Sequence, residues 1–291
     1  MLRPSLSAAA LLLAALAGVP ALQAAGRSPT HAGLSATARK ALTTAIAGDW
    51  RDPKNAARDV YRHPAPTLTF FGVRPDSRVI EITPGAGGWY TEILAPYLHD
   101  AGRYSAAMVD PSAVAEGRSR DSQQKTLDDL KARLAPHPAQ FDRVDYRLFA
   151  PKAPAFADPG SADVVLTFRN VHNWVAAGTA PSYFAAFYAA LKPGGVLGVV
   201  DHRAKPGTDL ETMKKSGYLT EALVIQLATD AGFVLDARSE INANPKDTTD
   251  HPNGVWTLPP TNQHDAADDA TYRAIGESDR MTLRFRKPAR T

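Results

Sequence analysis

Val79-Ile-Glu-Ile-Thr-Pro-Gly-Ala-Gly-Gly-Trp-Tyr-Thr91 is the stretch that decides how this chain is read. An apolar run ends in an acid, turns through glycines and passes straight into a helical pattern. Gly85 and Gly87 carry no side chain, so the backbone at this turn can pass close under a ligand. That is the layout of a nucleotide-type cofactor site, and it makes an enzyme the first expectation. The loop alone is a weak signal, and the order of the segments around it gives it weight.

Downstream, apolar strands alternate with helical stretches. Residues 78–82, 104–109, 144–148, 163–168, 196–200, 234–237 and 281–286 read as strands. Residues 89–98, 127–134 and 220–231 carry helical spacing, with Ile93, Leu94, Tyr97 and Leu98 facing inward on the first. Ser182 can cap a further helix whose Phe184, Phe187, Tyr188 and Leu191 form one stripe, and Pro193-Gly194-Gly195 stops it. Upstream, residues 41–48 read as a short helix. Asp52-Pro53 opens a second, with Ala56, Ala57 and Val60 at helical spacing, and Pro64 and Pro66 end it. Strands separated by helices pair in parallel through right-handed crossovers. The expected fold is therefore α/β, a doubly wound, mostly parallel seven-stranded sheet with an N-terminal helical cap. Residues 242–276 break the rhythm with Asn, Asp, Pro and Thr, and read as a long loop or lid.

Arg3 precedes a run of Ala, Leu, Gly and Val from Ala8 to Val19, and small residues follow at Ala21, Ala24 and Ala25. A basic start, a short apolar core and small residues make the pattern of a secretory signal peptide over residues 1–25. The alternatives are an uncleaved anchor and a buried helix. The apolar run is short for a bilayer, so no stable membrane insertion is expected once the signal is removed. The expected location is outside the cytoplasm, periplasmic or secreted. Residues 26–66 are then a lead-in and cap, and 67–291 the main domain. With no cysteine among 291 residues, disulfides, thiolate metal sites and cysteine nucleophiles are excluded. A net charge of +3 argues for neither nucleic acid nor an acidic membrane as partner. The oligomeric state is open.

Ligands in such sheets sit beyond the carboxyl ends of the strands. The residues there are Glu81 with the 83–88 loop, then Asp110, then Arg169, Asn170, His172, Asn173 and Trp174, then Asp201, His202 and Arg203. The order of pieces resembles the class I S-adenosylmethionine (SAM)-dependent methyltransferases. Val-Ile-Glu-Ile-Thr-Pro-Gly-Ala-Gly at 79–87 is similar to their first motif, Asp110 to the acid ending strand two, and Asp163-Val-Val-Leu-Thr-Phe168 to the strand-four motif. Leu191-Lys-Pro-Gly-Gly-Val-Leu197 is similar to the approach to strand five, and Ala231-Gly-Phe233 to the turn before strand six. Arg62-His63-Pro64 and the run at 168–174 further resemble a group of exported, predicted methyltransferases.

The resemblance implies a Rossmann-like methyltransferase fold, SAM as cofactor and a small-molecule or envelope acceptor. It implies that Glu81, Thr83, Gly85, Gly87, Tyr90, Asp110 and Asn170 contact the cofactor. Asp110 would accept from the ribose hydroxyls, and Glu81 would hold the ammonium directly or through water. If the acceptor must lose a proton, His172 is the first candidate base and His202 the second. Trp89 and Tyr90 either wall the site or belong to the core. No metal is expected: His251, His264 and the acids of the 242–276 segment match no ligand spacing. The chain departs from the pattern at Thr83-Pro84, where the family has glycine first, and at strand three, which lacks a terminal acid.

A dehydrogenase fits less well, because Tyr90 stands where the dinucleotide fingerprint has its third glycine. A serine hydrolase lacks its elbow, since Gly276-Glu-Ser-Asp-Arg280 fails at the last position. The alternative of another class is an exported, non-catalytic binding protein on a methyltransferase scaffold.

Overall fold

The computed structural model describes Met1 and residues 33–289. The signal-peptide reading of residues 1–25 and the first part of the lead-in fall outside the described residues. Helix α1 (Ala36–Ile46) starts where the Ser35 side chain accepts from the Ala38 N–H at 3.1 Å. Ala38, Leu42 and Ala45 share its buried face, so the end of the expected lead-in is already helical. The second expected helix is two short ones, α2 (Pro53–Ala56) and α3 (Asp59–Arg62). Pro64 begins rather than ends a helix: α4 is Pro64–Phe70. Proline's fixed φ and missing donor suit the first helical position, and His63 at φ 42° makes the corner before it.

The main body then runs β1 (Arg78–Ile82), α5 (Thr91–Leu98), β2 (Arg103–Val109), α6 (Arg118–Leu134), α7 (Pro138–Phe141) and β3 (Asp145–Phe149). After these come β4 (Ala162–Phe168), α8 (Val171–Ala176), α9 (Ala180–Ala190) and β5 (Leu191–His202). The last elements are α10 (Leu210–Ser216), α11 (Glu221–Asp230), β6 (Val234–Ser239), α12 (Asp269–Ile275) and β7 (Arg280–Arg286). Helix α9 starts two residues before Ser182, whose hydroxyl donates to the Thr179 carbonyl at 2.8 Å from inside the first turn. Pro193-Gly194-Gly195 does not separate α9 from a strand at 196; it lies inside β5, which begins at Leu191.

The seven strands form one sheet in the order β3-β2-β1-β4-β5-β7-β6. Neighbours from β3 to β5 are parallel, and β7 is antiparallel to both β5 and β6. Alternation splits the core. Val79, Tyr104, Met108 and Leu166 pack with α1, α5 and α6 on one face, and Ile80, Ile82, Val165 and Leu197 pack with α9 and α11 on the other. Phe184 and Phe187 of α9 are fully buried, each ring contributing about 1.5–3 kcal/mol of transfer free energy. The order of strand addition reverses between the parallel neighbours β1 and β4, so the crevice of the sheet opens beyond their carboxyl ends. No helix among the described residues is long and apolar enough to cross a membrane.

Candidate active site at the carboxyl end of the sheet

The glycine loop leaves β1 with three residues in the left-handed region: Thr83 (φ 51°), Gly85 (φ 73°) and Gly88 (φ 54°). Thr83 is held there by its N–H, which donates to the Ala107 carbonyl at 2.8 Å. A β-branched residue in this region costs about 1–3 kcal/mol, so the turn is imposed by the surrounding structure. The cap clamps the loop from behind. Asn55 donates to the Gly87 carbonyl at 2.9 Å and accepts from the Trp89 indole at 2.7 Å.

Gly87 is exposed and has no left-handed φ, and a Cβ built on it would meet nothing within 4 Å. Neither packing nor backbone conformation requires glycine there. A Cβ on Gly85 would also stand in open space.

Glu81 is 3% exposed at the end of β1. The Tyr104 hydroxyl donates to its Oε2 at 2.5 Å and the Thr91 hydroxyl at 3.3 Å. Burial pushes this carboxyl up to about 7 against those two hydrogen bonds, which pull it down. Asp110, beyond β2, is partly exposed. One of its oxygens takes both the N–H and the hydroxyl of Ser112, at 2.8 and 2.7 Å. These bonds lower its pKa. The other oxygen has no partner among the described residues. Asn170 donates to the Ile82 carbonyl at 3.0 Å, tying the end of β4 to that of β1. The Tyr90 ring lies on Phe168 with centroids 3.5 Å apart and is 4% exposed. Trp89 is equally buried, under Arg62 at 4.9 Å. Both aromatic rings are packed into the core behind the loop.

The second half of the site gathers at the ends of β4 and β5. Asp201 is fully buried and takes four N–H groups. Its Oδ2 accepts from the backbone of Val171 at 2.7 Å and of His172 at 3.4 Å, and its Oδ1 from the backbone of His202 at 2.8 Å and from His172 Nδ1 at 2.9 Å. A carboxylate only accepts, so a proton sits on Nδ1, and Nε2 is the nitrogen that carries the lone pair in the neutral imidazole. His202 pairs its Nδ1 with the Ser278 hydroxyl at 2.6 Å. Burial, then His172, then Arg280 and Arg169, push its pKa well down, so it stays neutral. The two imidazoles are 5.0 Å apart.

His172, Asp201 and His202 also place one ligand-type atom each within 4.8 Å of one another. The expectation from sequence spacing concerned other histidines. Of those, His251 bonds Asp247 at 2.8 Å inside the lid.

Sequence reasoning did not pick out Arg169, Trp256, Glu277 or Arg280 as site residues. Arg169 was visible only as a strand-end residue, and the other three follow β6, where no motif marks them. With His172, His202 and Ser278 they enclose a hollow of ≈ 170 Å³.

No family model and no curated protein matches the chain. Solved structures do. A SAM-dependent methyltransferase from Aquifex aeolicus aligns with a TM-score of 0.52 at 12% identity, over 86% of this chain and 98% of its own. A candidate sarcosine dimethylglycine methyltransferase from Galdieria sulphuraria gives 0.52 at 13%, over 81% and 88%. The chain has the class I methyltransferase fold. The [4+2]-cyclase SpnF aligns as well, with a TM-score of 0.53 at 14% identity over 86% of this chain and 93% of its own. The fold therefore sets where the site is and leaves the chemistry to its residues.

Proposed function

We propose that the protein is a methyltransferase that takes its methyl group from SAM and gives it to a small molecule. The observation that carries the proposal is Gly87, a glycine that the protein's own packing does not need, beside a loop whose backbone is held against a strained turn. Space kept clear on that side suits a ligand lying along the loop. Asp110 supports the reading, because its second oxygen is free to accept from a ribose diol. Glu81 ties β1 to β2 and to the start of α5, and Asn170 ties the end of β4 to that of β1.

SAM, when bound, supplies a methyl carbon made electrophilic by its sulfonium. The chain's own part is to hold donor and acceptor in line, which can supply most of the rate, and to take a proton where the acceptor carries one. His172 Nε2 is the group for that, with Asp201 fixing its tautomer and stabilising the charge it gains. Export, read from the basic start and apolar run of residues 3–25, belongs to the same proposal.

The test is a calorimetric titration of the chain lacking residues 1–25 with SAM and with its demethylated product. Both bind the wild type, and Asp110→Ala weakens both by about ten- to hundredfold, the scale of hydrogen bonds to a charged group. Absence of binding at high micromolar concentration would instead support a non-catalytic protein on this scaffold.

A further inference from the structure

The hollow beside His172 carries more positive charge than its own structure uses. Glu277 is 2% exposed and is the acid of this cluster. It accepts from Arg58 Nε at 2.6 Å, from Arg62 Nε at 3.2 Å and from Arg280. One carboxylate thus faces three guanidiniums, and the NH2 groups of Arg58 and Arg62 are buried without a hydrogen-bond partner. Arg169 adds a fourth cation. It lines the hollow, is partly exposed, and has no side-chain hydrogen bond or ion pair among the described residues. Burial and then Arg280 lower its pKa to about 10, so it is charged at neutral pH.

A free guanidinium held near others of its kind is unfavourable unless something anionic arrives. Its planar fork matches the two oxygens of a carboxylate or phosphate. His172 and Trp256 line the same hollow, their rings 6.2 Å apart. Oxyanion recognition and proton acceptance therefore meet in one small space.

We propose that this hollow binds a compact oxyanion, carboxylate or phosphate, on the molecule that is methylated. The assignment to the acceptor rests on the methyltransferase reading; the anion site itself does not. A metal ion is the competing occupant, because two imidazoles and a carboxylate converge here. The surroundings oppose it. Asp201 already accepts four hydrogen bonds, His202 Nδ1 is engaged with Ser278, and the cation Arg169 lines the same hollow.

The experiment titrates the purified chain, without SAM, with inorganic phosphate, with acetate and with Zn²⁺ at constant ionic strength. Calorimetry gives affinity, and the His172 imidazole resonances give location. The variants are Arg169→Met, Arg169→Lys and, as a distant control, Arg238→Met, whose side chain is 56% exposed. We expect saturable binding of at least one anion that moves the His172 signals. The tighter of the two tells phosphate from carboxylate. Arg169→Met should weaken that binding at least about tenfold, Arg169→Lys less, and Arg238→Met not at all. Because the Arg169 side chain makes no hydrogen bond or ion pair among the described residues and its surroundings lower its pKa, Arg169→Met should melt no lower than the wild type, and Arg169→Lys covers the case in which it does. Three results overturn the proposal: no saturable anion binding, equal binding by Arg169→Met, or stoichiometric Zn²⁺ binding at both imidazoles. SAM titrated into the same samples tests the methyltransferase reading separately. Loss of SAM binding with anion binding intact sinks that reading and leaves the anion site standing.

Discussion

Glu81 links the state of one proton to folding and, on the methyltransferase proposal, to cofactor binding. Its carboxyl titrates near 4.5 in the unfolded chain and at about 7 in the folded one, because burial outweighs the hydrogen bonds from Tyr104 and Thr91. The folded protein holds the proton more tightly. The stabilisation from this group is full below the unfolded value of 4.5 and is lost as pH rises through 7, a change of about 3 kcal/mol. Glu81→Gln should flatten the stability profile across that window; an unchanged slope in chemical denaturation would assign it elsewhere. If the carboxylate form faces the methionyl ammonium, SAM affinity rises by about tenfold between about pH 6 and about pH 8 and the rise disappears in Glu81→Gln. The glycine loop was legible in the sequence because its chemistry is contiguous: acid, turn and helix start occupy thirteen neighbouring residues. Thr83 was visible as a departure from the family pattern. Its left-handed backbone was not, since only the hydrogen bond to Ala107 on the next strand holds it there.

The 242–276 segment shows how an element can be legible as an interruption and still hide its contacts. Asn and Pro content marked residues 242–276 as irregular. The segment proves to be tied at its base by Asn244, which donates to the carbonyls of Ile275 at 2.9 Å and Glu277 at 2.7 Å. Its middle packs Val255 against Ala204 and Tyr218 and sets Trp256 over His172. Gly254 allows this docking: its φ is +55°, and a Cβ there would stand 2.2 Å from the Ser216 carbonyl oxygen at the end of α10. Gly254→Ala should lift this part of the lid at a cost of about 1–3 kcal/mol. Hydrogen exchange should speed up across residues 251–263 while the sheet stays protected. Unchanged exchange there would mean that the contact does not hold the lid down. Helix ends misread from sequence have local causes of the same kind. Pro64 reads as a terminator by residue type alone, but the left-handed turn at His63 lets it start α4.

At the scale of the molecule, the sheet was readable and the charge cluster was not. Strand and helix periodicity is local, and parallel order follows from alternation. The Glu277 cluster instead joins residues 215 and 219 positions apart, linking α3 and its flank to the start of β7. Burial raises the Glu277 carboxyl, but Arg280, Arg62 and Arg169 outweigh it and hold it down to about 2. Its contribution is present above the unfolded value of 4.5 and is lost as pH falls through 2. Glu277→Gln strands the buried guanidiniums and should cost about 3–5 kcal/mol at neutral pH, read by denaturant titration; a loss under about 1 kcal/mol would show that the pairs contribute little. A loop kept bare for a ligand is the premise of cofactor binding at this sheet, and Gly87→Ala tests it. Thermal melting and SAM titration are run on the same variant. An alanine free of clashes should raise stability by about 0.4–1 kcal/mol through the unfolded chain while SAM affinity falls at least about tenfold. Equal SAM affinity in Gly87→Ala and the wild type would show that the loop is not kept bare for this cofactor.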